Sequence, residues 1–201
     1  DRSEKVLIMR VFLTVLILIF SFQSWTKADD IKDYEVEGMS IGDSLLDFYT
    51  FENLSNFSSS FYPSSQTYKM MAISDDNFQN YDYIQVEYFT NDQNYIIQSI
   101  SGSINLSIEN CLIKKKEIEN ELTNVLTETK KIIYEKFAHS EKFPDSYVYE
   151  TAFKFSNTDK IRLYCIDWSE KATNEKNYED HLSVDFSKRD FIDWLNNEAF
   201  K

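Results

Sequence analysis

The sequence predicts an α+β fold in which helices pack on antiparallel β-meander sheets. Two patterns indicate it: apolar residues recur at three-and-four spacing in some segments and alternate with polar residues in others. The elements follow the order helix, three strands, helix, three strands, helix, and runs of strands between helices are typical of α+β sandwiches. This order would fit a duplicated helix-plus-meander unit, although the residues themselves show no repeat.

The first 28 residues have the pattern of a secretory signal segment. A basic residue precedes an apolar run at residues 11–22, and small residues for cleavage follow it. We interpret residues 1–28 as a mis-assigned start plus a signal peptide, cleaved between Ala28 and Asp29, and residues 29–201 as a single secreted α+β domain. The alternative is an uncleaved anchor, but the run is shorter than the ~18–20 apolar residues that a span needs. The expected location is periplasmic or secreted, with no stable membrane span after cleavage.

The first half of the domain begins with a strand and a helix. Residues 33–39 alternate weakly and predict a short strand, and Ser40 with Asp43 three positions later predicts a capping box that opens a helix over residues 41–54. Polar residues from 55 to 65 end this helix. Strands are then predicted at residues 66–73, 82–90 and 95–106, with a hairpin turn at 91–94 and a bulge at Gly102.

The second half repeats this order. Apolar residues at helical spacing predict a long helix over residues 108–137. Ser187 and Asp190 have the spacing of a second capping box, which predicts a terminal helix that turns Phe191, Trp194 and Leu195 inward. Between these helices, strands are predicted at residues 147–155, 161–168 and 181–186, with a hairpin turn at 157–160.

Composition and charge limit the classes of protein that the chain can belong to. With 201 residues, of which 42% are hydrophobic, the chain fits one domain with a sizeable core, and three Gly and two Pro argue against a doubly wound α/β sheet. The net charge is −13, and it becomes −15 without residues 1–28, which carry four basic and two acidic side chains. Phosphate backbones and anionic lipids repel such a chain, so no nucleic-acid binding is expected. The expected partner is an envelope protein or a small ligand of unknown identity.

The stretch at residues 40–49, SIGDSLLDFY, resembles the first block of the GDSL esterase family over six residues. That family activates its serine with an Asp-x-x-His pair, whereas here Tyr178 stands three residues before His181. A serine without a positioned base stays a weak nucleophile, so the match is interpreted as spurious and no catalytic residue is assigned. Ser44 is expected in the first turn of a helix. For a GDSL-type serine esterase, the set would be Ser44, Asp180 and His181.

A longer resemblance covers residues 31–126. The segments YEVEGMSIGDSLLDFY, ISGSI and IENC look like those of a group of uncharacterised small secreted proteins from AT-rich marine alphaproteobacteria of the Pelagibacter kind. That resemblance implies an exported protein and no particular activity. In architecture, Gly38-Met39 before a helix and a meander is similar to the fold shared by the outer-membrane assembly lipoprotein BamE and the β-lactamase inhibitory protein. No cysteine that could carry a lipid follows the apolar run.

Cys111 and Cys165 are the two cysteines of the chain, and both are predicted to point toward the same core. Cys111 lies on the apolar stripe of the long helix, and Cys165 shares a predicted strand face with Ile161 and Leu163. In an oxidising compartment they would form a disulfide that stabilises the fold by about 4 kcal/mol in the chain-entropy model. The alternative is two separate buried thiols.

Neither a metal site nor a cofactor is expected. His139 and His181 have no second histidine or cysteine at ligand spacing, and Asp75-Asp76-Asn77 and Glu179-Asp180 lack the spacing of a calcium loop. Three function classes remain open. The leading one is a non-catalytic periplasmic binding or envelope-associated protein, because no acid, base and nucleophile converge in the sequence. The alternatives are a small secreted serine esterase and a BamE-like assembly factor or protein inhibitor.

Overall fold

An eight-stranded antiparallel sheet forms the centre of the structure, a computed structural model that describes residues 30–140 and 142–201. A separate two-stranded hairpin precedes the sheet. The strands are β1 (Glu35–Val36) and β2 (Met39–Ser40) in the hairpin, then β3 (Ser58–Tyr62), β4 (Ser65–Ile73), β5 (Tyr83–Phe89), β6 (Ser99–Asn105), β7 (Lys130–Ser140), β8 (Phe143–Lys154), β9 (Lys160–Asp167) and β10 (His181–Ser187). The order across the large sheet is β3-β4-β5-β6-β10-β9-β8-β7.

The described residues form four α-helices beside the strands, which confirms the α+β class. They are α1 (Phe51–Asn56), α2 (Ile108–Val125), α3 (Glu170–Lys176) and α4 (Arg189–Asn197), with short 3-10 helices at Ile31–Asp33 and Leu45–Asp47. The long helix α2 packs on β9 and β10, and we call the face of the sheet that it covers the helix face. None of the described helices is long and apolar enough to cross a membrane. The predicted signal segment, residues 1–28, lies outside the described residues.

Two four-stranded meanders meet at the centre of the sheet. Strands β6 and β10 pair antiparallel in unbroken register from Ser99 opposite Ser187 to Asn105 opposite His181. The prediction of three strands in each meander is wrong, because β3 lies within the polar stretch 55–65 and β7 lies where the long helix was predicted to continue. The predicted duplication stays a prediction.

The predicted helix over residues 108–137 is two elements. Helix α2 ends at Val125, and after a turn the chain continues as β7, which pairs with β8. Residues 126–131 contain no Gly or Pro that would signal the break. The apolar residues beyond it, Ile132, Ile133 and Phe137, are β-branched or aromatic and suit a strand once a partner strand is present.

The predicted helix over residues 41–54 is also wrong. Gly42 has a φ of +97°, and the segment that follows it runs beside residues 95–97, where the amide of Leu45 donates to the carbonyl of Tyr95. The chain then forms the short 3-10 helix and, separately, α1, whose capping box uses Thr50 and Asn53. Ser40 therefore ends β2 rather than capping a helix, and the predicted strand over 33–39 is the small hairpin.

Helix α4 begins without the predicted capping box. Ser187 is the last residue of β10, and its hydroxyl donates to Asp185. The amide of Arg189 instead donates to Asp159, 2.8 Å away in the β8–β9 turn. Phe191 and Trp194 are buried as predicted and pack against aromatic residues of β3 and β4 on the face of the sheet opposite α2. Helix α3 has no counterpart in the sequence-based prediction.

The predicted disulfide is present and ties α2 to the sheet. Cys111 on α2 and Cys165 on β9 are bonded, with their Cα atoms 6.0 Å apart. A buried ionic cluster holds the other half of the helix: the ammonium group of Lys115 donates to Thr151 on β8, and that of Lys131 on β7 lies 2.6 Å from Glu119. The helix is thus fixed to three strands of the second meander.

The two outer strands of the sheet are β3 and β7. Along β7 the register shifts twice, and the side chains of Ile133, Tyr134 and Phe137 are exposed. At one end of this strand, Lys130 lies opposite Lys154 on β8, which lies opposite Lys160 on β9. Among the described residues, none of these three lysines has an ion-pair partner. Three like charges therefore lie side by side, which costs stability.

Gly102 on β6 does not form the predicted bulge. Its pairing continues without a shift to Ile84 on one side and Val184 on the other. The ring of Tyr81 lies directly over it instead, because a Cβ atom at this position would be only 2.5 Å from that ring. The glycine is needed for this close approach rather than for backbone geometry.

The contact between Gly102 and Tyr81 predicts a large effect of one added methyl group. Gly102→Ala should lower the free energy of unfolding by about 1–3 kcal/mol in denaturant melts, because the tightly packed ring must move. The same change in a Tyr81→Ala background should cost much less, since the clash is then absent. Equal costs in both backgrounds would contradict the packing described here.

Candidate functional site

Small polar residues line the centre of the sheet on the face opposite α2. Three of them come from β6 and three from β10, and none is more than 6% exposed: Ser99, Ser101, Ser103, Ser183, Asp185 and Ser187. We call this side of the sheet the serine face. The flanking strands carry larger side chains on this face, among them Glu87 on β5 and Arg162 on β9.

Hydrogen bonds connect the serine face across the junction of the two meanders. The hydroxyls of Ser99 and Ser187 are 2.9 Å apart, and those of Ser103 and Ser183 are 2.6 Å apart. From β9, the guanidinium of Arg162 reaches Asp185 at 3.0 Å. Although burial opposes its charge, the nearby Asp185 carboxylate raises the pKa of Arg162. The guanidinium therefore keeps its charge, and its contact with Asp185 joins a third strand to the junction.

Glu87 on β5 is the buried carboxyl group at the other side of this layer, only 3% exposed. Gln85 and the hydroxyl of Tyr62 donate to its Oε1 atom, at 2.6 and 3.2 Å. Burial, with the negative charge of Asp185 adding to it, raises the pKa of Glu87 to about 7. The serine face is therefore a polar core whose side chains hydrogen-bond to one another. The hydroxyls of Ser99 and Ser187 are buried, so a substrate cannot reach them.

The three residues of the conditional esterase set do not form a catalytic group. Ser44 bridges to Ile96, before the start of β6, whereas His181 lies opposite Asn105 at its far end. The six residue steps along β6 alone span about 20 Å. The hydroxyl of Ser44 donates to the carbonyl of Asn94 and accepts from the amide of Leu46, so it caps the 3-10 helix. It is thus the cap residue itself rather than an ordinary position in a first helical turn.

Asp180 and His181 have structural hydrogen bonds of their own. The carboxylate of Asp180 accepts from the amide of Trp168 at 2.8 Å. The Nδ1 atom of His181 lies 2.8 Å from the carbonyl of Glu179, and burial lowers the pKa of this imidazole. These two side chains fix the ends of β9 and β10, where an open cleft begins.

The cleft lies at the end of the sheet where β6 finishes and β10 starts. Its volume is about 680 Å³, within the range of small-molecule sites. The residues that line it come from the β6–α2 connection, from α3 and from the segments on both sides of α3: Asn105, Leu106, Ser107, Trp168, Glu170, Thr173, Asn174, Tyr178, Glu179 and Asp180.

Aromatic rings form one wall of the cleft. The ring centroids of Trp168 and Tyr178 are 4.6 Å apart, and those of His139 and Phe143 lie 4.3 and 6.2 Å from that of Trp168. Tyr178 is 40% exposed. These aromatic residues come from separate segments of the sequence and form no local motif. The sequence-based prediction therefore missed the cluster.

Local backbone structure positions the two lining rings. Ser169 caps α3 directly after Trp168. At the other end of α3, Asn177 adopts a left-handed conformation with a φ of 54°, which turns the chain so that Tyr178 comes back over Trp168. Asn is among the residues that tolerate this conformation best. Helix α3 thus forms one side of the cleft as a short, capped unit.

The charged side chains that line the cleft are all acidic. They are Glu170, Glu179 and Asp180, and neither Lys nor Arg is among the lining residues. Burial, with the charge of Asp180 adding to it, raises the pKa of the neighbouring Asp167. In the described part of the chain, no group of three or more His, Cys, Asp and Glu side chains comes close enough to hold a metal ion.

Comparisons of the chain with protein-family models, with curated protein sequences and with solved structures found no match.

The buried Glu87 predicts a pH-dependent stability. Its pKa in the folded chain, about 7, lies above the ordinary value of 4.5, so the folded state binds the proton more tightly. The stabilisation by this proton is complete below about pH 4.5 and is lost as the pH rises through 7. Denaturant melts at several pH values should show the native chain losing up to about 3 kcal/mol relative to Glu87→Gln between pH 4.5 and 8. Parallel pH profiles for the two proteins would contradict this assignment.

The hydrogen bonds of Ser44 predict a structural effect of its removal. Ser44→Ala loses a cap and a bond to the next segment, so it should lower the free energy of unfolding by about 1 kcal/mol. Ser59→Ala, at an exposed position of β3, serves as the matched control and should change stability by less than about 0.5 kcal/mol. If Ser44→Ala instead stabilises the chain, Ser44 is not a stabilising cap and this assignment is wrong.

Proposed function

We propose that the chain is a non-catalytic binding protein of the cell envelope or the secreted fraction, and that the cleft beside Trp168 is its ligand site. The observation that carries this proposal is the combination of an open cleft of about 680 Å³ with an aromatic wall and convergent polar side chains. Concave sites of this size with a few placed polar groups are where proteins most often bind small ligands.

The chemistry of the lining residues supports binding rather than catalysis. Ser107 and Thr173 carry the aliphatic hydroxyls of the lining and Tyr178 its phenol, and neither histidine of the chain is among the lining residues. A nucleophile and a base within hydrogen-bond reach of each other are what covalent catalysis requires. The carboxylate of Asp180 is occupied by the amide of Trp168, which suits a positioning role.

The Cys111–Cys165 disulfide supports an exported location. Disulfides form and persist in oxidising compartments, such as the periplasm and the extracellular space, and are rare in the cytosol. The signal-like residues 1–28 and the resemblance to small secreted proteins of marine alphaproteobacteria point the same way. The strongly acidic composition suits a chain that stays soluble without binding nucleic acids.

Ligand-induced stabilisation tests the proposed site. Four probes cover the main classes of small polar ligand: choline, maltose, glutamate and inorganic phosphate. We expect at least one of them, at millimolar concentration, to raise the midpoint of thermal unfolding by a few degrees through linkage of binding to folding. Trp168→Ala should lose this rise because it removes the aromatic wall.

Phe51→Ala, an exposed aromatic residue on α1 away from the cleft, is the matched control and should keep the full rise. The absence of a saturable effect for every probe would refute a small-ligand site in the cleft. A rise that survives Trp168→Ala would place the ligand elsewhere on the protein.

A further inference from the structure

We propose that the ligand of the cleft is a small organic cation that carries an alkylated ammonium group. This inference rests on the proposed binding function and adds the chemical class of the ligand. It follows from three features of the described residues: the sign of the charges in the cleft, the rings beside them, and the spacing of the carboxylates.

The charged side chains that line the cleft are all negative. Glu170, Glu179 and Asp180 line the cleft, and no basic side chain that lines it offsets them. Clefts lined by one sign of charge focus the electric field and raise the local concentration of the opposite charge. The cleft therefore attracts cations and repels phosphates, carboxylates and other anions.

The rings determine which kind of cation fits. Trp168 and Tyr178 both line the cleft, and indole and phenol rings attract cations through the negative potential of their faces. Alkylated ammonium groups suit such walls best, because they bring apolar surface and positive charge together and are recognised by aromatic cages. A bare inorganic cation would gain less from the rings than it loses with its hydration shell.

The chain uses this type of contact elsewhere, but not at these two rings. On the neighbouring strands, the ammonium group of Lys136 lies 3.7 Å from the ring centroid of Tyr147. No described Lys or Arg lies over Trp168 or Tyr178. Within the described part of the chain, the two rings of the cleft therefore have no cation of the protein over them.

The spacing of the carboxylates argues against a metal ion as the occupant. Calcium needs six to eight oxygen ligands at 2.3–2.6 Å, and no three acidic, His or Cys side chains of the described residues converge in this way. Carboxylates that are spread around an open cleft instead suit a diffuse charge of larger radius. An alkylated ammonium group, whose charge is distributed over its methyl groups, has this property.

A pair of isosteric probes tests the class of ligand on the unmodified protein. Choline and 3,3-dimethylbutan-1-ol have the same shape, but the second carries a carbon atom in place of the charged nitrogen. We expect choline to quench or shift the Trp168 fluorescence saturably, and its affinity to exceed that of the neutral isostere by about tenfold. Addition of ~0.5 M NaCl should weaken choline binding and leave the isostere unchanged.

Two variants locate the effect. The double variant Glu170→Gln/Glu179→Gln removes two charges at exposed positions and should lower the affinity for choline several-fold without changing the thermal midpoint of the free protein. Glu52→Gln, an exposed acidic residue on α1, is the matched control and should bind choline like the native chain. Retention of full choline affinity by the double variant would overturn the proposal.

The outcomes separate this inference from the proposed function. If the isostere or maltose binds as tightly as choline, and Trp168→Ala loses that binding, the cleft is a ligand site but its ligand is not a cation. If neither choline nor any other probe of the panel binds saturably, the proposed function itself is wrong. If choline binds equally to the native chain and to Trp168→Ala, both proposals are wrong.

Discussion

The pairing of β6 with β10 is the constraint on which the rest of the structure depends. Each strand ends one meander, and their unbroken register is the seam between the two halves of the sheet. Because the serine side chains of both strands are small, larger polar side chains from the flanking strands pack beside them. Glu87 on β5 and Arg162 on β9 are the two that border this polar layer. On the helix face, the disulfide to β9 keeps α2 in place over β9 and β10. The cleft lies at the end of the β6–β10 pair, where the chain leaves β6 for α2 and enters β10.

The sequence predicts the strands that alternate strictly and the elements that carry a strong chemical signal. Strands β4, β5, β9 and β10 are recognisable in the sequence because the side chains that each strand turns toward the helix face are buried. The disulfide is predictable because both cysteines occupy apolar positions that face the same core. The break between α2 and β7 has no local signature, because the apolar residues of β7 continue the helical spacing of α2. Only the hydrogen bonds to β8 make this segment a strand. The segment around Ser44 shows the same limit: contacts with Tyr95 and Ile96 override a plausible helix start.

The candidate site is less accessible to prediction than the fold. Its rings and carboxylates lie on different connections, and only the folded chain brings Asn105 near Trp168 and Tyr178. The burial of the carboxyl groups of Glu87 and Asp185 is equally hard to predict, since an acidic residue in an alternating strand is ordinarily assigned to the solvent side. Both features arise from how the two meanders join, and neither follows from the order of residues within one segment.

The lysines at the edge of the sheet have a consequence for how copies of the protein meet. An outer strand with free amide and carbonyl groups invites another chain to extend the sheet, and β7, with its exposed Ile133 and Phe137, would be the natural place for such growth. A second copy that paired parallel to this strand would bring the two rows of lysines together, and for either strand direction the irregular register of β7 would keep the two backbones from matching. The irregular edge, with the lysines at one end of it, therefore protects a concentrated solution of the protein against edge-to-edge aggregation.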